Sequence, residues 1–462
     1  MHISKKIKLS YFALLLSFIN LVLYQYPFYK FVIGNIDTES FNGILLLVSL
    51  TVAALFLNAV VFYIGLYLLR FVGKWILVLF FNISAIAVYF INTYGVIIDR
   101  TMIGNILNTN YEESSSFLSV GLLVYIVFLG IVPSILIFKF EVTRVTIKKF
   151  LLQVFLTLLF LLTIAFVNSP NWLWIDKNSK TLGGLVMPWS YVVNIVRFYS
   201  HENKKNEQQI LLPDATIKNN KKSVAVLVIG ESARSENFSL YGYQKNTNPL
   251  LSEIENIHHF SAESCATYTT AGLKCILDYK NTNKLYEILP NYLFRNDVEV
   301  IWKTTNWGEP TVKIDNFRNK EALRKDCIGE GCGYDEILLD GLRSQIAASE
   351  KDKILIVLHT STSHGPTYYK KYPEAFNKFQ PTCKSVELAN CSQEELINAY
   401  DNTILYTDYI LATLIEQLKQ VEEYNSSMIY ISDHGESLGE SNLYMHGIPA
   451  SIAPKEQLEI PF

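Results

Sequence analysis

The segment SVAVLVIGES, residues 223–232, decides how the second half of this chain folds. Its apolar, largely β-branched run has no polar alternation, so it reads as a strand covered on both faces. Three later runs share that character: VEVIWKT (298–304), KILIVLHT (353–360) and SMIYIS (427–432). Helical stretches lie between them. The clearest, 392–420, opens with Ser392 and Glu395 as a capping box. Ile397, Tyr400, Ile404, Leu411, Ile415 and Leu418 recur at helical spacing and predict its buried stripe. Strands alternating with helices predict an α/β domain, a mainly parallel sheet sandwiched by helices.

In such sheets ligands bind beyond the carboxyl ends of the strands. The residues standing there are of metal-ligand type. Glu231 follows the first strand, His364 follows the third in STSHGP, and Asp433 with His434 follows the fourth in DHGES. His446 comes soon after in YMHG. Carboxylate and imidazole together suit zinc.

Outward from this domain, residues 1–175 are of another kind. Five stretches carry no charge: 9–29, 40–69, 75–98, 114–138 and 150–175. Each reaches the roughly 20 residues that a membrane-crossing helix needs, and a signal peptide is not followed by four more spans. The loops expected on one side hold Lys5, Lys6, Lys8, Arg70, Lys74, Lys139, Arg144, Lys148 and Lys149. The alternate loops hold only Lys30 and Arg100, among Asp37, Glu39, Asp99, Glu112 and Glu113. Basic loops stay cytoplasmic, so the N-terminus is predicted inside and everything past residue 176 outside. The expected domains are a five-span membrane bundle (1–176), an interfacial and linker segment (177–222) and an external catalytic domain (223–462). In the linker, LVMPWSYVVNIVRFY (185–199) reads as an interfacial helix through Trp189, Tyr191 and Tyr199. A net charge of −3 argues against a nucleic-acid binder.

All six cysteines fall in the external part, in local pairs: Cys265 and Cys275, Cys327 and Cys332, Cys383 and Cys391. In an oxidising compartment these read as disulfides, neighbour pairing being one of about 15 connectivities. The first pair brackets SCATYTTAGLKC (264–275), crowded with hydroxyls. A bridge would fix a segment whose hydroxyl, activated by a metal, acts as a nucleophile. A helix starting near TAG would favour a phosphate oxyanion at its N-terminus. Spacing alone leaves open which hydroxyl it is.

The external half resembles the phosphoethanolamine transferases of Gram-negative inner membranes. These belong to the alkaline-phosphatase/sulfatase superfamily and include lipid A-modifying enzymes that confer polymyxin resistance. The resemblance runs in order through GESAR…N…LYGY…TNP (230–249), C-x3-T-x5-C (265–275), SHGPTYY (363–369), C-x7-C (383–391), YTDYIL (406–411), SDHGESLGE (432–440), YMHGIP (444–449) and AP-x2-Q (453–457). It implies that Thr269 is the nucleophile and that Glu231, Asp433, His434 and the Thr269 oxygen hold one tightly bound zinc. His364 and His446 match positions that bind substrate phosphate or a second zinc, and that are suited to proton transfer. The loop DRTMIGNILNTNYEE matches family positions that contact the donor headgroup. There Asn105, Thr109 and Glu113, at i, i+4 and i+8, predict one helical face. The implied reaction is ping-pong. Thr269 takes phosphoethanolamine from phosphatidylethanolamine, releasing diacylglycerol, and an acceptor on lipid A or lipopolysaccharide core then takes it from Thr269. Phosphoglycerol transfer or phosphate- or sulfate-ester hydrolysis is the alternative within the superfamily.

Two departures from the family pattern stand out. A basic residue usual shortly after the Trp of the second strand is replaced, in WKTTNWGEPTVK (302–313), by Glu309, which predicts a different acceptor preference. The chain also ends at LEIPF (458–462) where relatives continue through a further strand, so a C-terminally truncated sequence is expected.

Overall fold

The computed structural model describes residues 5–109, 111–205, 209–219, 221–282 and 284–462. The chain divides into two compact units, Met1–Ile103 with Leu118–Phe198, and Gly104–Phe117 with Tyr199–Phe462.

The first unit is built on helices α1 (Leu9–Tyr24), α2 (Tyr26–Gly34), α3 (Phe41–Tyr94), α4 (Val120–Phe138) and α5 (Ile147–Val167). By length and composition three of these can cross a membrane, or four if α1 and α2, bent by 62°, count as one span. The five predicted spans are therefore not five separate helices among the described residues, because the second and third fall in one 54-residue element, α3. Straight, it would run about 80 Å against a hydrocarbon core of ~30 Å. It breaks at Arg70, where φ is 52° and ψ is −117°. A Cβ placed on Gly73 would lie 3.1 Å from the Gly65 carbonyl oxygen, whereas eight residues of unbroken helix span about 12 Å. The chain thus folds back on itself at this point.

Three basic segments meet in this unit. Lys5–Lys8 pairs in parallel with Phe140–Thr143, and Lys74 Nζ donates to the Phe140 carbonyl at 2.7 Å. A buried polar knot lies elsewhere. Gln25 and Asn58 donate to Asn20 Oδ1 at 2.8 and 3.0 Å, and Trp189 Nε1 donates to Asn58 Oδ1 at 2.8 Å. Tyr191 donates to the Phe80 carbonyl at 3.0 Å. The aromatic residues expected at an interface thus turn inward on helix Trp189–Lys205, because their polar tips find partners in the bundle. Tyr199 remains exposed.

The second unit is organised by strands β1 (Ser223–Gly230), β2 (Glu299–Thr304), β3 (Asn316–Arg318), β4 (Lys353–His359) and β5 (Asn425–Ser432). Their order is β3-β2-β4-β1-β5 and every pairing is parallel. The four predicted strands are present, with β3 added at one edge. Side chains alternate between two cores. Val224, Val226, Val228, Ile354 and Ile356 pack with Ile410, Leu411 and Leu414 of helix α7 (Gln393–Lys419). Ile229, Val300, Trp302, Leu355 and Val357 pack with Leu273 and Leu277 of helix α6 (Thr269–Leu277).

α7 carries the predicted capping box, with Ser392 Oγ accepting from Glu395 N and the Glu395 carboxylate accepting from Ser392 N at 2.8 Å. Its burial exceeds the predicted stripe. Asn398, Asp401, Asn402 and Asp408 are buried as well, and Ile397 and Ile415 are only partly covered. The buried polar groups are hydrogen-bonded: Asn402 Oδ1, for example, accepts from Lys378 N and Phe379 N at 3.0 and 2.9 Å. The disulfides join Cys265–Cys275, Cys327–Cys332 and Cys383–Cys391, the neighbour pairing expected from the sequence.

Candidate functional site

The carboxyl ends of β1, β4 and β5 deliver their residues to one place. Glu231 follows β1, Asp433 and His434 follow β5, and all three are buried. Thr269 is the first residue of α6, after an extended Tyr268. That helix presses closely on the end of β5. A Cβ on Gly272 would stand 2.4 Å from the Asp433 carbonyl oxygen, so only glycine fits in TAG. The Thr269 hydroxyl donates to Glu231 Oε2 at 3.3 Å.

Donor and acceptor accounting leaves specific atoms over. Asp433 Oδ1 accepts from Ser232 N at 3.1 Å and from His434 N at 2.8 Å. Asp433 Oδ2 is buried without a partner. His434 Nδ1 stands 2.9 Å from the Gly435 carbonyl, which fixes the N–H there and leaves Nε2 as the lone-pair nitrogen, also unpartnered. That nitrogen is 3.4 Å from Glu231 Oε1 and from Asp433 Oδ2. Ligands ~2.0–2.1 Å from a tetrahedral zinc stand about 3.3 Å apart, so the two spacings at His434 match those around such an ion.

The charge balance agrees. Burial and the neighbouring Glu231 charge push the Asp433 carboxyl up. Burial alone would lower His434, but the Asp433 and Glu231 charges hold its imidazole above the ordinary value. Two buried carboxylates here call for a cation.

His364 and His446 complete the cluster. Ligand atoms of Glu231, His364 and His446 lie within 4.8 Å of one another, as do those of Glu231, Asp433 and His434. His364 Nδ1 is 2.7 Å from the Gly365 carbonyl, and His446 Nδ1 is 2.7 Å from Glu436 Oε2. The six residues singled out from the sequence, Glu231, Thr269, His364, Asp433, His434 and His446, thus stand together.

The predicted headgroup face fares differently. The helix that begins at Arg100 ends at Asn108 and helix resumes at Tyr111, so Asn105, Thr109 and Glu113 do not share one continuous helical face. Thr109 ties its N–H and hydroxyl to the Asn105 carbonyl at 2.8 and 2.7 Å, which ends the first segment. Asn105 Nδ2 lies 3.6 Å from where a Cβ on Gly447 would be, next to His446, and its Oδ1 is buried without a partner. The Glu113 side chain lies outside the described residues.

Several members of the site were not read from the sequence. Ser232 has φ of 52°, a conformation uncommon for a non-glycine residue, and its hydroxyl donates to Glu231 Oε1 at 2.7 Å. Asn306 Nδ2 donates to Glu231 Oε2 at 2.6 Å and stands 3.1 Å from His359 Nε2. His359 Nδ1 is 3.0 Å from Glu309 Oε1. The strand-end rule covers His359, the last residue of β4. Glu309 also accepts from Thr304 Oγ1 at 2.5 Å and is only 14% exposed. Its carboxylate thus faces His359 inside the protein.

Comparison with known proteins gives a consistent picture. The sulfatase family model matches residues 223–462, and the model for phosphoethanolamine transferase EptA/EptB matches residues 54–203. Phosphoethanolamine transferase EptA of Helicobacter pylori is 42% identical over 463 residues, covering 97% of this chain and 86% of its own. Phosphatidylethanolamine transferase Mcr-1 of Escherichia coli is 34% identical, with 85% and 78% covered. The solved integral membrane lipooligosaccharide phosphoethanolamine transferase A of Neisseria meningitidis is similar over 99% of this chain and 88% of its own, with a TM-score of 0.88 at 29% identity.

Proposed function

This chain belongs to the EptA-type phosphoethanolamine transferases of the alkaline-phosphatase/sulfatase superfamily, and from that premise we propose that it transfers phosphoethanolamine from phosphatidylethanolamine to lipid A or another lipopolysaccharide acceptor through Thr269. The observation that carries the reading is the Thr269 hydroxyl, at the start of α6 and bonded to Glu231 at 3.3 Å, beside the unpartnered Asp433 Oδ2 and His434 Nε2.

Glu231, Asp433, His434 and the Thr269 oxygen would hold a zinc ion, which when bound supplies Lewis-acid neutralisation of phosphoryl charge and a lowered hydroxyl pKa. The protein's own groups do the rest. Glu231 orients the Thr269 hydroxyl toward phosphorus, its second contact with Asn306 keeping the carboxylate from turning away. The new bond is Thr269 Oγ–P, the bond lost is that to the diacylglycerol oxygen, and the proton given up by the Thr269 hydroxyl is balanced by the one that oxygen gains. Free N–H groups of the first turn of α6 favour charge growing on the phosphoryl oxygens. His364 and His446 each have Nδ1 engaged, at Gly365 and Glu436. Nε2 is then the ring nitrogen that can pass a proton to the departing oxygen. Asn105, through its unpartnered Oδ1, together with Thr109 and Glu113, would receive the ethanolamine end of the donor.

The membrane unit is read as five crossings: α1 with α2, the two halves of α3 on either side of Arg70, α4 and α5. The basic segments at Lys5–Lys8, Lys74 and residues 139–149 would lie on the cytoplasmic side. Residues 1–176 then form the inner-membrane domain, 177–222 the connector and 223–462 the periplasmic catalytic domain. Mass spectrometry of lipid A and core from cells making the wild type or Thr269→Ala tests the reading. A phosphoethanolamine adduct is expected with the wild type and none with the variant; an adduct that survives the substitution sinks the role of Thr269.

A further inference from the structure

We propose that Glu309 is a positioning residue for Glu231: it holds Asn306 against that carboxylate by two arms and so sets the affinity of the site for zinc. This rests on the zinc reading above. The first arm runs through Thr304. Its hydroxyl donates to Glu309 Oε1 at 2.5 Å, which commits the hydroxyl proton and leaves the oxygen to accept from Asn306 N at 3.0 Å. The second arm runs through His359. A carboxylate only accepts, so His359 Nδ1, 3.0 Å from the same Glu309 oxygen, carries a proton. In the neutral ring Nε2 is then the lone-pair nitrogen, and it stands 3.1 Å from Asn306 Nδ2. One arm fixes the backbone of Asn306 and the other faces its amide. Thr304 and His359 are both buried, so neither arm has room to swing.

The amide has one orientation that satisfies its surroundings. Asn306 Nδ2 donates to Glu231 Oε2 at 2.6 Å and to the Thr360 carbonyl at 2.8 Å. Turned by half a rotation, the amide would set its oxygen against both of those oxygens and the His359 lone pair, three acceptors with no proton among them. The rotation of Glu231 depends on this amide. Glu231 Oε2 also accepts from Thr269 at 3.3 Å, while Oε1 accepts from Ser232 Oγ at 2.7 Å and lies 3.4 Å from His434 Nε2. Asn306 therefore sets a carboxylate whose two oxygens face the nucleophile and the histidine of the zinc site. Groups that orient a metal ligand from outside typically account for about 10–100-fold in metal affinity. Glu309 stands at the far end of this chain, and both of its side-chain hydrogen bonds among the described residues lead to Asn306.

The test measures zinc affinity directly, by competition with a chromophoric chelator. It uses the full metal-free chain in micelles, below the melting temperature of each variant, so that a loss of stability alone leaves the affinity unmoved. Glu309→Ala is expected to weaken zinc binding about tenfold or more. Thr304→Val, which removes one arm, should weaken it about threefold, and Thr304→Ser, which keeps the hydroxyl, should bind within about twofold of the wild type. Lys419→Gln, at the end of α7 and paired with Glu416, serves as the surface control and should bind as the wild type does. Should Glu309→Ala not fold, the two Thr304 variants decide. A Glu309→Ala chain that binds zinc as tightly as the wild type, or a Thr304→Ser chain as weak as Thr304→Val, would overturn the positioning role. A wild type that takes up no zinc would instead remove the zinc reading, and the positioning role with it.

Discussion

Helices α5 and α7 are of similar length and opposite design. Of the 21 residues of α5 only Phe150 is buried, while leucines and phenylalanines such as Leu159 and Phe155 lie open. Of the 27 residues of α7 sixteen are buried, and six of those are Asn398, Asp401, Asn402, Thr403, Thr407 and Asp408. An apolar surface of that kind needs no partner where the solvent is hydrocarbon. A polar interior is stable only where each group finds a hydrogen bond. The difference shows where specificity resides: the membrane unit is defined by what it exposes, and the catalytic unit by how completely its buried polar groups are paired.

The sharpest way to break this contrast is to unpair one buried group on α7. Asp401 accepts from Asn237 Nδ2 at 2.6 Å, Tyr243 OH at 3.0 Å and Lys245 Nζ at 2.8 Å. Asp401→Ala strands Asn237 Nδ2 and Tyr243 OH and leaves Lys245 only its bond to Asn398 Oδ1 at 2.7 Å. Because Lys245 is 35% exposed, water recovers part of its cost, and the expected loss is about 3 kcal/mol, at the low end for a broken buried pair. Thermal melting of the full chain in micelles reads it. A loss under ~0.5 kcal/mol, the scale of ordinary surface substitutions, would mean that pairing on α7 is incidental.

The same contrast explains what the sequence allowed and what it withheld. Continuous apolar runs mark β1, β2, β4 and β5 because strands covered on both faces leave no other pattern. Glu231, Asp433 and His434 are legible because a strand end fixes where a ligand goes. The helical stripe of α7 was only half legible, since periodicity assigns Asp401 and Asp408 to solvent and cannot see partners that arrive from Asn237 or Leu250, far off in sequence. Asn306 was illegible for the same reason, meaning little until β2 and β4 lie side by side, whereas His359 stands at a strand end where the rule reaches it. The break between Asn108 and Tyr111 escaped because i, i+4, i+8 spacing presumes the helix it is used to predict.

A smaller effect sharpens the electrostatic side. Burial would raise Glu309, but its bond to His359 holds it below the ordinary 4.5. Burial would lower His359, but Glu309 holds it above the ordinary 6.5. The depressed carboxylate contributes stability above pH 4.5 and loses it as pH falls through its folded value. The raised imidazole contributes fully below pH 6.5 and loses it as pH rises through its folded value. Both contributions are full only between these limits. Glu309→Gln should therefore cost about 2 kcal/mol near pH 5.5 and distinctly less at pH 8.5, as read by melting at both values. A penalty independent of pH would show that the pair acts by shape alone.

The smallest effects lie on α5 and test whether exposure there means what it means in water. Phe150 stacks on Tyr67 with ring centroids 3.8 Å apart and lies 5.3 Å from Tyr63. Leu159, on the same helix, is 50% exposed. In an aqueous core a Phe→Ala change costs about 3–5 kcal/mol, mostly by transfer of apolar surface from water. Between helices in lipid that driving force is absent, because the tails are as apolar as the side chain. What remains for Phe150→Ala is the lost ring contact, about 1 kcal/mol, and for Leu159→Ala nearly nothing. Melting of the two variants in micelles and in bilayer nanodiscs should show this order in both media. A Leu159→Ala loss as large as that of Phe150→Ala would mean that α5 packs against protein on its open face, as α7 does.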